Sequence, residues 1–317
     1  MKLVTFENAA KQSRIGAVAP DNSIVDLHIA SAMYLRDVEH ASAFYRLADA
    51  LVPPDMRALF RGGDQSLKAA RQAFEHALLL GPKSLGPRGE TVFYKFDDVK
   101  LKAPIAPKKF FHTAGNFREH HEEATKAGFS HPVMPWIVFF QNVDAIIGQD
   151  EPVVYPEHLT QELDYELELA VVLKKAGKHF TPEDAMDYVG GYVIFNDITA
   201  RDIQRREMKS GVFSFCKGID TFCPLGPWIV TADEISEPGN LNLKISVNGE
   251  ERQNSNTKYM ILGVAELIEF ASAFYTLHPG DIIMTGTPEG VSPIQPGDSI
   301  LATIEKIGSM EVAVRAA

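Results

Sequence analysis

Cysteine is scarce: Cys216 and Cys223 are the only two in 317 residues. Two thiols make neither a disulfide scaffold nor a zinc-ligand array, so a reduced, cytoplasmic protein resting on its own buried core is expected. Positive charge is also short. Lys and Arg total 31 against 42 Asp and Glu, a formal net charge of −11. Phosphate backbones are recognised by clustered Lys and Arg, so nucleic acid is set aside as a partner, and an anionic membrane surface with it. No apolar run approaches the roughly 18 residues of a spanning helix. The opening Met1-Lys2-Leu3-Val4-Thr5-Phe6-Glu7 puts an acid where a signal peptide carries its apolar stretch. What is present, 45% hydrophobic and 23% charged residues, is ordinary globular composition, enough chain for one large or two modest domains.

The first hundred residues read as a small strand-and-helix domain. Arg14–Val18 and Ser23–Leu27 flank the turn Pro20-Asp21-Asn22 and predict a hairpin. Phe44, Leu47, Ala48 and Leu51 keep helical spacing up to Pro53-Pro54, and Ala70, Phe74, Ala77 and Leu78 repeat it before Gly81-Pro82. Residues 81–89, rich in Gly and Pro, mark a linker within a 1–103 N-terminal domain, and 104–317 form the second domain. The second domain is mostly β. Tyr165–Leu173 reads as a strand, Asn248-Gly249 as a tight hairpin turn, and Pro279-Gly280-Asp281 and Pro296-Gly297-Asp298 punctuate further strands. Thr181-Pro182-Glu183-Asp184 starts one helix and Val264, Leu267, Ile268, Ala271 and Phe274 mark another.

Four segments carry chemistry. In Glu162-Leu163-Asp164-Tyr165-Glu166-Leu167-Glu168, strand alternation puts all four acids on one face. A solvated edge strand is the plain explanation, but same-face acids two residues apart repel. A hard divalent cation bound by carboxylate oxygens relieves that repulsion. The apolar run Val193–Asn196 delivers a further acid, Asp197. Thr199 and Asp202 can cap a short helix that places Arg201 and Gln204 on one face, and Lys217 stands among apolar residues beside Gly218. In Asn116–Ala124, His120 and Glu123 lie three apart, so on a helix the carboxylate can orient the imidazole as a general base. His121-Glu122 does not open a zinc-protease helix, because position 125 is Thr. The fourth segment, Thr285–Val291, has glycines that admit a ligand and hydroxyls that can bind a carboxylate, without a P-loop ending.

Taken in order from about Pro104 to the C-terminus, these segments resemble the fumarylacetoacetate hydrolase superfamily. The resemblance implies an α+β, mostly β fold, a mixed β-roll behind a smaller N-terminal domain, usually a homodimer. It implies that Glu166, Glu168 and Asp197 bind Mg²⁺ or Mn²⁺, with Ca²⁺ also admissible. His120 and Glu123 match the family dyad, on a lid over residues 117–127 that orders over substrate and ends at Gly128. Arg201, Gln204, Lys217 and Thr287 match its substrate-contacting positions. His112-Thr113-Ala114-Gly115-Asn116-Phe117 departs from the usual Gly-x-Asn-Tyr lead-in. The expected activity is metal-dependent C–C hydrolysis of an acylpyruvate-like, fumarylpyruvate-like or fumarylacetoacetate-like 1,3-diketo acid, with His120, Glu123 and Lys217 catalytic. Decarboxylation of a 2-oxo acid of the oxaloacetate type and isomerisation share the same enolate chemistry. A non-catalytic metal- or carboxylate-binding domain is the alternative of another class, and the His120–Glu123 pair argues against it.

Overall fold

The structure, a computed structural model, describes residues 1–127, 137–211 and 214–317. The fold is α+β, mostly β, as the sequence implies. At its centre Leu167–Leu173 runs antiparallel to Val189–Asn196, with Leu167 opposite Asn196, and Val189–Asn196 pairs in turn with Cys223–Thr231. On the other side lies Ile282–Met284, which runs parallel to Phe110–Ala114 and makes the sheet mixed. Both central strands are buried along their full length, which is why they read as nearly continuous apolar runs.

Period-two alternation divides these strands between two cores. Leu167, Leu169, Val171, Tyr192 and Ile194 pack with Asn242–Val247, Ser299–Ile304 and Gly308–Ala316 of a second sheet and with the helix Val264–Phe274. Ala170, Val172, Val193 and Phe195 pack with Leu3, Ile15, Leu27, Leu59 and Phe60 from the first hundred residues. Lys2–Glu7 pairs directly with Cys223–Thr231, so the N-terminal strands continue the same sheet.

The expected hairpin is present, Ala17 facing Val25, but its second strand stops at Asp26. The Asp26 carboxylate accepts the Ile29 amide at 3.0 Å and caps the helix Leu27–Asp37, which hydrophobic spacing did not signal. Met56–Arg61 was equally hidden, between Pro53-Pro54 and the long helix Gly63–Leu80, and is capped by Asp55. Residues 81–89 link that long helix to Phe93–Lys95, which returns to pair with Ser23–Asp26. Asn248 and Gly249 adopt the left-handed backbone of a tight turn, as expected.

The strand expected over Tyr165–Leu173 is interrupted. Leu163–Asp164 belongs to a separate three-stranded sheet with Thr199–Ala200 and Pro293–Ile294, and pairing in the large sheet resumes at Leu167. Between them, the Glu166 amide donates to the Asn196 side chain at 2.9 Å, and its carbonyl accepts the Asp197 amide at 2.8 Å. The Tyr165 hydroxyl is tied to the Gly290 carbonyl and Ser292. The chain changes sheets at this point, and the crossing carries Glu166 into the interior.

Candidate active site

Eight of the nine residues nominated from sequence line one cavity of about 30 Å³, and the ninth, Glu123, holds His120. The acidic segment is not a solvated edge. Asp164, Glu166 and Glu168 are all more than nine-tenths buried, and Glu162 alone turns outward, to Arg205. The break in the strand and the adjoining end of Val189–Asn196 bring Glu166, Glu168 and Asp197 together.

Two buried cations answer these acids. Arg201, the first residue of its helix, donates through Nε to Asp164 at 2.8 Å, through Nη2 to Glu166 at 2.8 Å and through Nη1 to Gln204 at 2.6 Å. Lys217 Nζ donates to Glu166 Oε2 at 2.9 Å, to Thr199 Oγ1 at 2.8 Å and to Asp197 Oδ2. Thr199 therefore serves the lysine and not the helix, whose cap position is Ala200 without a side-chain bond. Asp202 is held instead by Thr160 and by the amides of Gln161 and Ile203.

Four carboxylates thus share the site with two cations, leaving two negative charges when all are ionised. The imbalance falls on Glu168. Burial and the neighbouring Asp197 and Glu166 push its carboxyl well above the usual range, against the opposing pull of Lys217 and the Gly286 amide. Burial acts on Glu166 in the same sense, but Lys217, Arg201 and His120 outweigh it and hold its carboxyl far below the usual range. Lys217 loses solvation by burial, yet Asp197 and Glu166 raise it above the ordinary lysine value. A buried set of hard oxygen donors with excess negative charge fits a divalent cation.

The glycine loop positions two of these acids. Gly286 has φ +86, and a Cβ there would lie 3.0 Å from Asn116 Cβ. Its amide donates to Glu168 Oε2 at 2.7 Å. The Gly290 amide donates to Glu123 Oε1 at 3.1 Å, while Glu123 Oε2 meets His120 Nδ1 at 3.0 Å. Thr287 Oγ1 accepts from Gln253 Nε2 at 3.0 Å, so its own proton remains available to the cavity. His120 lies on the expected helix, Arg118–Ala127, whose His121 and Ala124 also face the cavity. Gly128, the expected end of the lid, lies outside the described residues.

Sequence reasoning missed several supporting side chains. Gln141 Nε2 donates to the Lys217 carbonyl at 2.6 Å and to Asp197 Oδ1 at 3.3 Å. Gln253 clamps the glycine loop and accepts the Leu167 amide at 3.1 Å. His112 lies beside Asp197, its Nδ1 3.2 Å from Oδ2. Gln253 stands among polar strand residues and Gln141 just past a strand end, and neither gives a local sign of burial; for His112, the unusual lead-in was the one available signal.

Buried carboxylates, a buried lysine and an imidazole held by a carboxylate, gathered around one cavity, define a candidate metal-binding enzyme site. Residues 109–315 match the family model described as fumarylacetoacetate (FAA) hydrolase C-terminal. A maleylpyruvate hydrolase of Aquipseudomonas alcaligenes is 43% identical over 227 residues, covering 69% of this chain and 76% of that protein. An oxaloacetate tautomerase of Bacillus subtilis is 37% identical over 307 residues, 93% of this chain and 94% of that one. The crystal structure of maleylpyruvate hydrolase from Sphingobium sp. SYK-6 with manganese(II) and pyruvate aligns over 100% of both chains, with a TM-score of 0.74 and 31% identity. The chain belongs to the fumarylacetoacetate hydrolase family and is an enzyme of it. Among the described residues, no helix is long and apolar enough to cross a membrane.

The charge imbalance makes a direct prediction. In metal-free protein, Glu168 with its raised folded value supports stability fully below the unfolded value of 4.5, and that support is lost as pH rises towards the folded value. Glu168→Gln removes the penalty, so at pH 7 the metal-free variant should melt a few degrees above wild type, a gap that closes near pH 4. Added Mn²⁺ should stabilise wild type and not the variant. A lower metal-free melting temperature in the variant, or a full Mn²⁺ gain, would contradict this assignment.

Proposed function

We propose that the protein is a divalent-metal-dependent hydrolase that cleaves the C–C bond of an acylpyruvate of the maleylpyruvate or fumarylpyruvate type. Residues 104–317 carry the chemistry, and 1–103 extend its sheet. The observation that carries this reading is His120, held by Glu123, facing the same cavity as Glu166, Glu168, Asp197 and Lys217. A site that only stored an ion or a carboxylate would have no use for an oriented base. The 43%-identical maleylpyruvate hydrolase supports the same reading.

Glu166, Glu168 and Asp197 would hold Mg²⁺ or Mn²⁺. When bound, the ion supplies a Lewis acid and a template for the 2-oxo acid end of the substrate. Arg201, Gln204 and Thr287 line the space around that end. His120, steadied at Nδ1 by Glu123, takes a proton from water at Nε2 as the water oxygen adds to the distal carbonyl carbon. The bond from that carbon to the methylene breaks, and its electron pair passes into the enolate of pyruvate. The Lys217 ammonium, already fixed by two carboxylates and a hydroxyl, stabilises that developing charge. A preorganised donor of this kind is worth about 3 kcal/mol in the barrier. Return of the proton from His120 to the methylene carbon completes pyruvate and the second carboxylic acid.

The 37%-identical oxaloacetate tautomerase supports a second reading, keto–enol exchange of oxaloacetate, in which His120 moves a proton and no water adds. His120→Ala should lower kcat for acylpyruvate hydrolysis by roughly 10²–10⁴ with metal content unchanged. The same variant is assayed for oxaloacetate tautomerisation and decarboxylation. Wild-type hydrolysis in the variant would remove His120 from the mechanism. A wild-type enzyme that exchanges oxaloacetate but leaves acylpyruvates intact would favour the second reading.

The homodimer expected of the family is proposed here on an exposed aromatic cluster. Phe140, Phe274 and Tyr275 are all exposed, with the Phe140 and Tyr275 rings 5.1 Å apart. An aromatic patch of this kind marks an interaction surface. Sedimentation equilibrium should give twice the 35.0 kDa of one chain, and Phe274→Ser should weaken the association. A wild-type monomer at micromolar concentration would overturn the proposal.

A further inference from the structure

His112 has no part in the mechanism above, yet it lines the cavity and is fully enclosed. It is 1% exposed. Its ring stacks on Phe139 at 4.8 Å and meets the edges of Phe110 and Phe195 at 5.5 and 5.3 Å. These aromatic neighbours fix the plane of the imidazole and provide no hydrogen-bond acceptor. Nδ1 lies 3.2 Å from Asp197 Oδ2, and the buried Nε2 has no hydrogen-bond partner among the described residues.

A neutral imidazole carries one N–H and one lone pair, and this surrounding leaves one of them unused in either tautomer. With the proton on Nδ1 and donated to Asp197, the Nε2 lone pair has nothing to accept. With the proton on Nε2, a buried donor goes unmet and the Nδ1 lone pair faces a carboxylate oxygen. Buried polar atoms are rarely left in this condition without a partner that the protein itself does not supply. The position of the ring says what that partner is. The ligand-bearing atoms of His112, Glu168 and Asp197 all lie within 4.8 Å of one another. Opposite ligands of a six-coordinate ion with bonds of about 2.1 Å are about 4.2 Å apart, so a small inward adjustment of these side chains lets one cation reach all three.

We propose that His112 adds a nitrogen donor to the carboxylates of the metal centre and thereby makes the site selective for a transition ion such as Mn²⁺ or Fe²⁺ over Mg²⁺ and Ca²⁺. The inference rests on the divalent-metal reading of this site. Its physical basis is ligand preference: Mg²⁺ and Ca²⁺ favour oxygen from carboxylate, carbonyl and water, imidazole suits Fe²⁺, and Mn²⁺, although it also favours oxygen, opens the first-row series whose affinity for nitrogen sites rises towards copper. Three carboxylates alone would accept either group of metals. A fixed imidazole separates them.

The test uses the full-length protein stripped with a chelator, its fold checked by circular dichroism. Mn²⁺ and Mg²⁺ affinities are measured by calorimetry on wild type, His112→Phe and His112→Gln. Pulsed electron paramagnetic resonance of the Mn²⁺-loaded proteins reads nitrogen coupling directly, without any assay of activity. Wild type should show a ¹⁴N coupling of a directly bound imidazole, and both variants should lose it. Mn²⁺ affinity should fall about 10–100-fold in His112→Phe while Mg²⁺ affinity changes less than threefold. The wild-type spectrum decides the point even if a variant fails to fold. Mn²⁺ bound to wild type without nitrogen coupling, or an unchanged Mn²⁺/Mg²⁺ ratio in folded variants, would overturn the inference and leave the metal reading intact. Failure of folded wild type to bind either ion would remove both.

Discussion

Among the described residues, the cavity holds more negative charge than its two buried cations balance, and much of the structure serves to keep that charge in place. Burying a carboxylate without a partner is costly, and a second one nearby makes it more so. Lys217 and Arg201 answer Glu166, Asp164 and Asp197 through short hydrogen bonds, and Glu168 remains the acid without a cation of its own. A structural core would gain from replacing such a cluster with apolar side chains of similar volume. Its presence here, at the end of two otherwise apolar strands, is a cost carried for function.

The scaffold bears that cost by rigidity. Leu167–Leu173 and Val189–Asn196 are buried on both faces, between a second sheet on one side and the N-terminal helices and strands on the other. Side chains fixed this way cannot drift apart to relieve repulsion. The glycine loop adds backbone donors to Glu168 and Glu123, and Gln253 ties that loop to the carboxylate strand through Leu167. The proposed metal ligand Glu168 and the partner of the proposed base His120 are therefore both held by one turn, whose positive-φ glycines allow its close approach.

Much of this was legible in the sequence where local pattern reports local structure. Alternation around Glu166 and Glu168, the apolar run ending at Asp197 and the spacing of His120 and Glu123 each encode one element, and the fold brings them into one cavity. What was not legible depends on distance along the chain. Gln141 meets the Lys217 carbonyl 76 residues away, and Gln253 meets Leu167 across 86. The break at Tyr165–Glu166 escaped strand periodicity because side-chain bonds, from the Glu166 amide to Asn196 and from the Tyr165 hydroxyl to the Gly290 carbonyl and Ser292, replace the ladder there. The helices at Leu27–Asp37 and Met56–Arg61 escaped for a different reason. One aspartate cap is the last residue of a strand and the other directly follows a proline pair, and each context reads locally as non-helical.

On the reading proposed here, one divalent cation completes the buried charge of Glu166, Glu168 and Asp197. Calorimetric titration of Mn²⁺ into chelator-stripped wild-type protein tests it most directly, with and without saturating pyruvate. The account predicts saturable uptake of one ion per chain, tightened when the 2-oxo acid is present. Folded protein that takes up no ion, with pyruvate or without it, would contradict the account.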